Sequence, residues 1–180
     1  LDESFPSKTT DFRTLFAKTR KKKLGALFLN PFEASTLAIM LRQASEQHIN
    51  SNLYSIINPD HRLFRKLSGS ASNGLIYLGS PLKSNQSEDY KKFVDEYFKK
   101  APEGADFDYI TASAFDALKS LTNAIEAVGN NPTMAKEFLR TYRSHGAYGP
   151  IEYDEAGDIK NLHFILKRIN NDGSISIIDQ

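Results

Sequence analysis

The chain contains no cysteine. Thiolate nucleophiles, thiolate-bound metals and disulfides are excluded with it. No apolar run approaches the roughly 20 residues that a membrane-spanning helix needs. The opening residues Leu1-Asp2-Glu3-Ser4-Phe5-Pro6 lack the basic start and apolar stretch of an export signal. Either the protein acts in the cytosol or this segment starts downstream of its signal. Charge of one sign is also missing: a net +1 over 180 residues leaves no global field to draw nucleic acid or a membrane surface, and no nucleic-acid partner is expected. The patterns G-x-G-x-x-G, G-x-x-x-x-G-K-[ST] and G-x-S-x-G are absent, so no phosphate-cradling loop and no nucleophile elbow is expected. The histidines, His48, His61, His145 and His163, stand in no metal-ligand spacing. The reading is therefore no metal, no cofactor and no enzyme, because no nucleophile, base and oxyanion group assemble from these residues.

What is present is the material of a globular protein. Hydrophobic residues make up 40% and charged residues 25%, with twelve Phe and eight Tyr for a core. Leu1 to Phe5 reads as a short strand. Thr10 caps a helix from Asp11, with Phe12, Leu15, Phe16 and Thr19 at helical spacing and Arg20 to Lys23 at the end that favours cations. Leu24 to Leu29 is a continuous apolar run, as in a strand buried on both faces. A helix from about Glu33 to Gln47 follows, then a strand from Leu53 to Ile57. Asn58-Pro59 opens a short helix, with Asn as cap, which ends near Ser68-Gly69. Gly74 to Leu78 is a further strand. Strands alternating with helices at this interval imply an α/β fold with a mostly parallel sheet and helices on both faces.

The texture then changes. Tyr90, Phe93, Val94 and Tyr97 mark one helix. Phe107 to Val128 marks a long one, with Ile110, Ala114, Leu118, Leu121 and Ile125 along one stripe, and Asn131-Pro132 opens a third. After Gly146 the pattern becomes β: Gly149 to Tyr153, a turn over 154–158, Leu162 to Ile169, and a last strand from Ser174 to Ile178. The chain divides accordingly into residues 1–84, 85–145 and 146–180.

Several clusters have a plain reading beside a functional one. Asp154, Glu155 and Asp158 resemble an acid pair or a calcium loop, but they sit in a tight turn without the D-x-[DN]-x-[DN]-G pattern, and the turn is favoured. Lys18 with Arg20 to Lys23 reads as a solvated helix end. Ser68 to Ser72 reads as a helix terminus rather than an anion site. The loop Asn30-Pro31-Phe32-Glu33 lies at the C-terminal end of a strand and the start of a helix, where open α/β sheets bind ligands. The segment from Tyr54 to Asp60 takes the equivalent place after the next strand. Two readings of the first loop stand: a binding loop, or a core plug at Phe32 with Glu33 as a first-turn partner of the helix dipole.

Ordered motifs then point to a family. Glu3-Ser4-Phe5-Pro6, with Thr10-Asp11-Phe12, resembles the E-x-x-P-x-x-x-T-D-F opening of the second lobe's second βα unit in the branched-chain amino-acid-binding receptors of ABC importers. Leu27-Phe28-Leu29, followed by Met40-Leu41-Arg42-Gln43-Ala44, is similar to that family's strand and L-R-Q-A helix. Asn73 to Tyr77 resembles its x-G-x-x-Y/F strand. Asp108-Tyr109, with Ala114-Phe115-Asp116-Ala117, resembles its D-Y…A-Y-D-A helix. Gly149-Pro150-Ile151, with Tyr153-Asp154-Glu155 and Gly157-Asp158, resembles its hairpin near the C-terminus.

The resemblance implies the type I periplasmic-binding-protein fold, present here as its C-terminal half: lobe 2, the helices returning to lobe 1, and a C-terminal β-hairpin. It also implies a periplasmic or extracellular receptor, lipid-anchored where the full-length protein carries an anchor, that closes on a small ligand such as an amino acid for an ABC permease. Carried over residue by residue, it puts Phe32 and Glu33 near a ligand-contacting aromatic. Ile57 falls where the family has an acid that pairs with the ligand's ammonium, with Asn58 and Asp60 beside it. Tyr109 falls near the hinge. An aliphatic side chain cannot pair a cation, so Ile57 opens the alternative of a sensing or protein-interaction module that has lost amino-acid binding. A half receptor also leaves a sheet edge or apolar face uncovered, which favours a homodimer of the fragment.

Overall fold

Short β-prone runs separated by helix-period segments set the order of the chain. The structure, a computed structural model, describes residues 1–81, 87–105, 107–160 and 162–178, without the side chains of Arg62 and Asp89. Two units emerge: Leu1–Ser80 with Phe164–Gln180, and Pro81–His163. The division expected between residues 84 and 85 lies outside the described residues.

In the first unit the helices are α1 (Arg13–Lys22), α2 (Ala34–Glu46) and α3 (Arg62–Ser68), and the strands are β1 (Ala26–Phe28), β2 (Asn52–Ile56) and β3 (Ile76–Gly79). β1 pairs with β2 and β2 with β3, both parallel, with Leu27 opposite Leu53 and Tyr54 opposite Ile76. The chain returns to this unit as a hairpin. Its first strand, Ile165–Ile169, lies antiparallel to β3, and its second, Ile175–Ile177, pairs back on the first. The expected α/β sheet is thus a mixed one, parallel on one side and closed by the C-terminal hairpin on the other.

The core of this unit follows the sequence periodicity. Phe12 and Phe16, Leu37, Leu41 and Ala44 of α2, Phe64 of α3, and Leu75, Tyr77 and Ile169 of the sheet form one buried cluster. Each large side chain fully removed from water here contributes about 1.5–3 kcal/mol. Buried Gln43 joins two helices: its Oε1 accepts from the Phe12 N–H at 2.6 Å, and its Nε2 donates to the Thr10 carbonyl at 2.8 Å. Thr10 therefore does not cap α1. The side chain that meets the first turn is Asp11, whose Oδ1 accepts from the Arg13 N–H at 3.1 Å.

Two strand expectations also change. Leu1 to Phe5 forms no strand, and β1 is the outermost strand of its sheet, with Ala26 and Phe28 exposed rather than buried on both faces. A run of apolar residues registers what a strand requires, and among the described residues no strand pairs with that edge.

The second unit holds α4 (Glu88–Lys100), α5 (Tyr109–Val128), α6 (Pro132–Thr141), β4 (Arg143–His145) and β5 (Pro150–Glu152). Side-chain caps start all three helices: Ser87 Oγ accepts from the Tyr90 N–H, Asp108 Oδ1 from that of Thr111, and Asn131 Oδ1 from that of Met134. Sequence pattern joined Gly149–Tyr153 to the strand after the 154–158 turn. The structure instead pairs β5 antiparallel with β4, Ser144 opposite Ile151, and leaves a single bridge between Tyr153 and Ile159. The turn itself is as read: Asp154 Oδ1 accepts the amide hydrogens of Ala156, Gly157 and Asp158, each at 2.9 Å.

The long α5 presents its apolar stripe to solvent. Ile110, Leu118, Leu121 and Ile125 are exposed, Leu118 by 63%, while Ala112, Asp116, Ser120 and Ala124 are buried. The Asp116 carboxylate, 2% exposed, accepts from the Ala147 N–H at 2.6 Å and the Tyr148 N–H at 2.8 Å. A Cβ at Gly146 would overlap that carboxyl group, so the 146–148 loop reaches Asp116 only because residue 146 has no side chain. Burial raises the carboxyl pKa above its ordinary value, against the two amide donors, which lower it.

Candidate ligand-binding site at the strand ends

The C-terminal ends of β1, β2 and β3 are stitched together by polar bonds. Ser55 Oγ, buried, donates to the Leu29 carbonyl at 2.7 Å. Asn58 Nδ2 donates to the Pro31 carbonyl at 2.8 Å, tying the loop after β2 to the loop after β1. The Ile57 N–H donates to the Leu78 carbonyl at 2.7 Å, tying the same loop to β3. Asn58 thus staples loops and does not cap α3. Residues Asn58–Asp60 form a single 3₁₀ turn, and α3 is capped by His61, whose Nδ1 accepts from the Leu63 N–H at 3.1 Å.

This stitching brings Phe32, Glu33, Ile57, Asn58 and Asp60 to one end of one sheet. Phe32 is 98% exposed, so it is not a core plug. Glu33 starts α2 through its carbonyl, which accepts from the Leu37 N–H at 3.1 Å. Its exposed carboxylate accepts from Ser35 Oγ at 3.2 Å. Ile57 has φ +46° and ψ −43°, a strained conformation for a β-branched residue. Strain of this kind collects at ligand clamps and switch loops. Tyr109 belongs to the other unit, where it opens α5 and packs partly buried with Ala112 and Ala147 in an aromatic cluster that includes Tyr90, Phe93 and Phe107.

Asp60 is fully engaged. Its Oδ1 accepts from Lys167 Nζ at 2.8 Å and from the Tyr77 hydroxyl at 3.0 Å, and its Oδ2 accepts from the Ser80 N–H at 2.8 Å. Lys167 Nζ also donates to the Ser80 carbonyl at 2.7 Å. The two charged side chains are 7% and 11% exposed. Burial, with the adjoining Asp60 carboxylate, raises the pKa of the Tyr77 phenol. Gly79 makes room for the group: a Cβ there would stand 2.7 Å from Asp60 Oδ2 and 2.8 Å from the Lys167 side chain. Sequence reasoning missed Lys167. The available signal was its alternation with Ile165 and Ile169 on the inward side of a strand, because a lysine there needs a buried partner.

A family model for periplasmic binding proteins matches residues 1–172. The chain belongs to this family. Curated members similar to it include the leucine-, isoleucine-, valine-, threonine-, and alanine-binding protein of Pseudomonas aeruginosa, 22% identical over 91% of this chain and 43% of that protein. Another is the leucine-specific-binding protein of Salmonella typhimurium, 23% identical over 93% of this chain and 44% of the other. The chain spans about half the length of the curated relatives it matches. Among solved family structures, the leucine-binding protein LivK of Thermotoga maritima superposes with a TM-score of 0.78 at 24% identity, covering 96% of this chain and 49% of LivK. A solute-binding protein of R. palustris solved with 4-hydroxybenzoate reaches 0.74 at 18% identity, covering 99% of this chain and 50% of the other. The type I fold and the branched-chain-receptor resemblance read from the motifs are both borne out. Among the described residues no helix is long and apolar enough to cross a membrane.

Proposed function

We propose that this chain is half of an extracytoplasmic solute receptor, which closes on a small ligand and hands it to an ABC permease. The observation that carries the reading is the stapled strand-end surface, where Phe32, Ile57 and Asn58 stand together at the position where open α/β sheets take ligands. Closure of such a receptor is stabilised by contacts that the ligand makes to both lobes. One lobe alone supplies one wall, and the chain works as a binder, not a catalyst.

The ligand is an amino acid or a related acid. Asp60 is committed to Lys167, Tyr77 and Ser80, and Ile57 carries no charge, so Glu33 is the acid at this end that remains for an ammonium group. The same two facts favour a second reading, a sensing or protein-interaction module of this fold that has lost amino-acid binding. Calorimetric titration of the chain with leucine, valine and 4-hydroxybenzoate tests both. The half-receptor reading expects dissociation constants weaker than about 1 mM, and tight amino-acid binding by these residues alone would sink it. With the other half supplied, leucine binding that falls at least tenfold in Glu33→Gln supports transport, and a complete protein indifferent to every amino acid supports sensing.

In isolation the uncovered stripe of α5 and the open edge of β1 drive two copies of the chain together. Light scattering at high concentration should report a dimer, and a clean monomer contradicts it.

A further inference from the structure

The buried Asp60–Lys167 group joins segments far apart in the chain. Asp60 ends the turn that begins beside the strained Ile57. Ser80 is the last residue of the first unit before the chain passes into the second, and Lys167 lies in the strand by which the chain returns. Lys167 Nζ grips both the Asp60 carboxylate and the Ser80 carbonyl, and the Asp60 carboxylate grips the Ser80 N–H. Every donor of the ammonium group has an acceptor, and Gly79 leaves no slack around it.

We propose that Lys167 is a positioning residue for the ligand-side loop: through Asp60 it holds Ile57 in its positive-φ conformation and locks that loop to the points where the chain leaves and re-enters the first unit. Its value to binding rests on the reading that residues 57–60 face the ligand, whereas the mechanical claim does not. The physical reason is that a β-branched residue leaves a positive φ once its surroundings permit. Two backbone bonds flank the strained residue, Ile57 N–H to the Leu78 carbonyl and Asp60 N–H to the Ile57 carbonyl at 3.0 Å, and the Asn58 side chain is tied to the Pro31 carbonyl, but none of these holds the Asp60 side chain. The ion pair closes the loop at its far end. It also withdraws Asp60 from the ligand, so the loop contributes shape and backbone groups rather than charge.

Amide hydrogen exchange on the whole chain without ligand tests this. Lys167→Met should speed exchange at Ile57 and Asp60 at least tenfold more than at Leu29 and Leu37, whose amides are bonded elsewhere in the same unit. Asp60→Asn, which keeps the shape and removes the charge, should show the same pattern at smaller amplitude and serves if Lys167→Met does not fold. In an Ile57→Gly background, where positive φ carries no strain, the selective acceleration should shrink to less than threefold. Uniform acceleration across all four amides would make the pair a general stabiliser and overturn the proposal, as would selective acceleration unchanged by Ile57→Gly. Because no ligand is present, failure here leaves the receptor reading untouched, and failure of ligand binding leaves this result untouched.

Discussion

The two units use apolar side chains in opposite ways. In the first, the residues at helical spacing, Phe12, Phe16, Leu37 and Leu41, are the ones buried. In the second, the stripe of α5 at the same spacing faces water, and the helix packs within its unit through Ala112, Asp116, Ser120 and Ala124. Periodicity shows which face of a helix is to be covered. It does not say whether the covering element lies in the same stretch of chain. In the first unit the apolar faces of α1 and α2 are covered by its own core, while Phe28 of the edge strand stays exposed. In the second, the stripe of α5 is left exposed.

The contrast can be broken or sharpened by substitution. The largest effect belongs to the first unit: Phe64→Ala, at a fully buried position, should cost about 3–5 kcal/mol in urea unfolding. A loss under about 1 kcal/mol would mean that the first core is looser than its burial indicates. A smaller effect tests the polar packing of α5. Asp116 has a folded pKa above its unfolded value because it is buried. Its proton is therefore held more tightly in the folded chain, and the stability it brings is full below the ordinary aspartate range near 4 and is lost as pH rises through the folded value. Unfolding measured from pH 3.5 upward should show this decline in the wild type and a flatter profile in Asp116→Asn, and parallel profiles would assign the slope to other groups. The smallest effect is expected on the exposed stripe. Leu118→Ala should change the unfolding free energy of the isolated chain by no more than about 0.5 kcal/mol. The same change should weaken self-association in light scattering, and an unaltered dimer would place the interface elsewhere.

Much of the fold was legible where the signals are local. The alternation from Leu24 to Leu78, the helix opened by Asn131-Pro132 and the turn at Asp154 each depend on neighbours within a few residues, and the structure reproduces them. Pairings between distant segments were not legible. β5 has an alternating pattern compatible with either neighbour, and in the structure it pairs with β4 while the strand Ile165–Ile169 pairs with β3. The strand-end loops could be placed from the order of elements alone. The occupation of Asp60 could not, because its partner Lys167 lies 107 residues away and no local rule connects them. The Asn58-Pro59 pair likewise predicted a helix capped by Asn58, whereas that side chain is drawn across to Pro31 and His61 takes its place.

The junction between the first two helices has its own implication. Gln43 fastens Thr10 and Phe12 with a neutral amide, whereas the link between Asp60 and Lys167 depends on opposite charges. Gln43→Glu would keep an acceptor for the Phe12 N–H but set a second acceptor against the Thr10 carbonyl, so a change of one atom type would undo the first fastening.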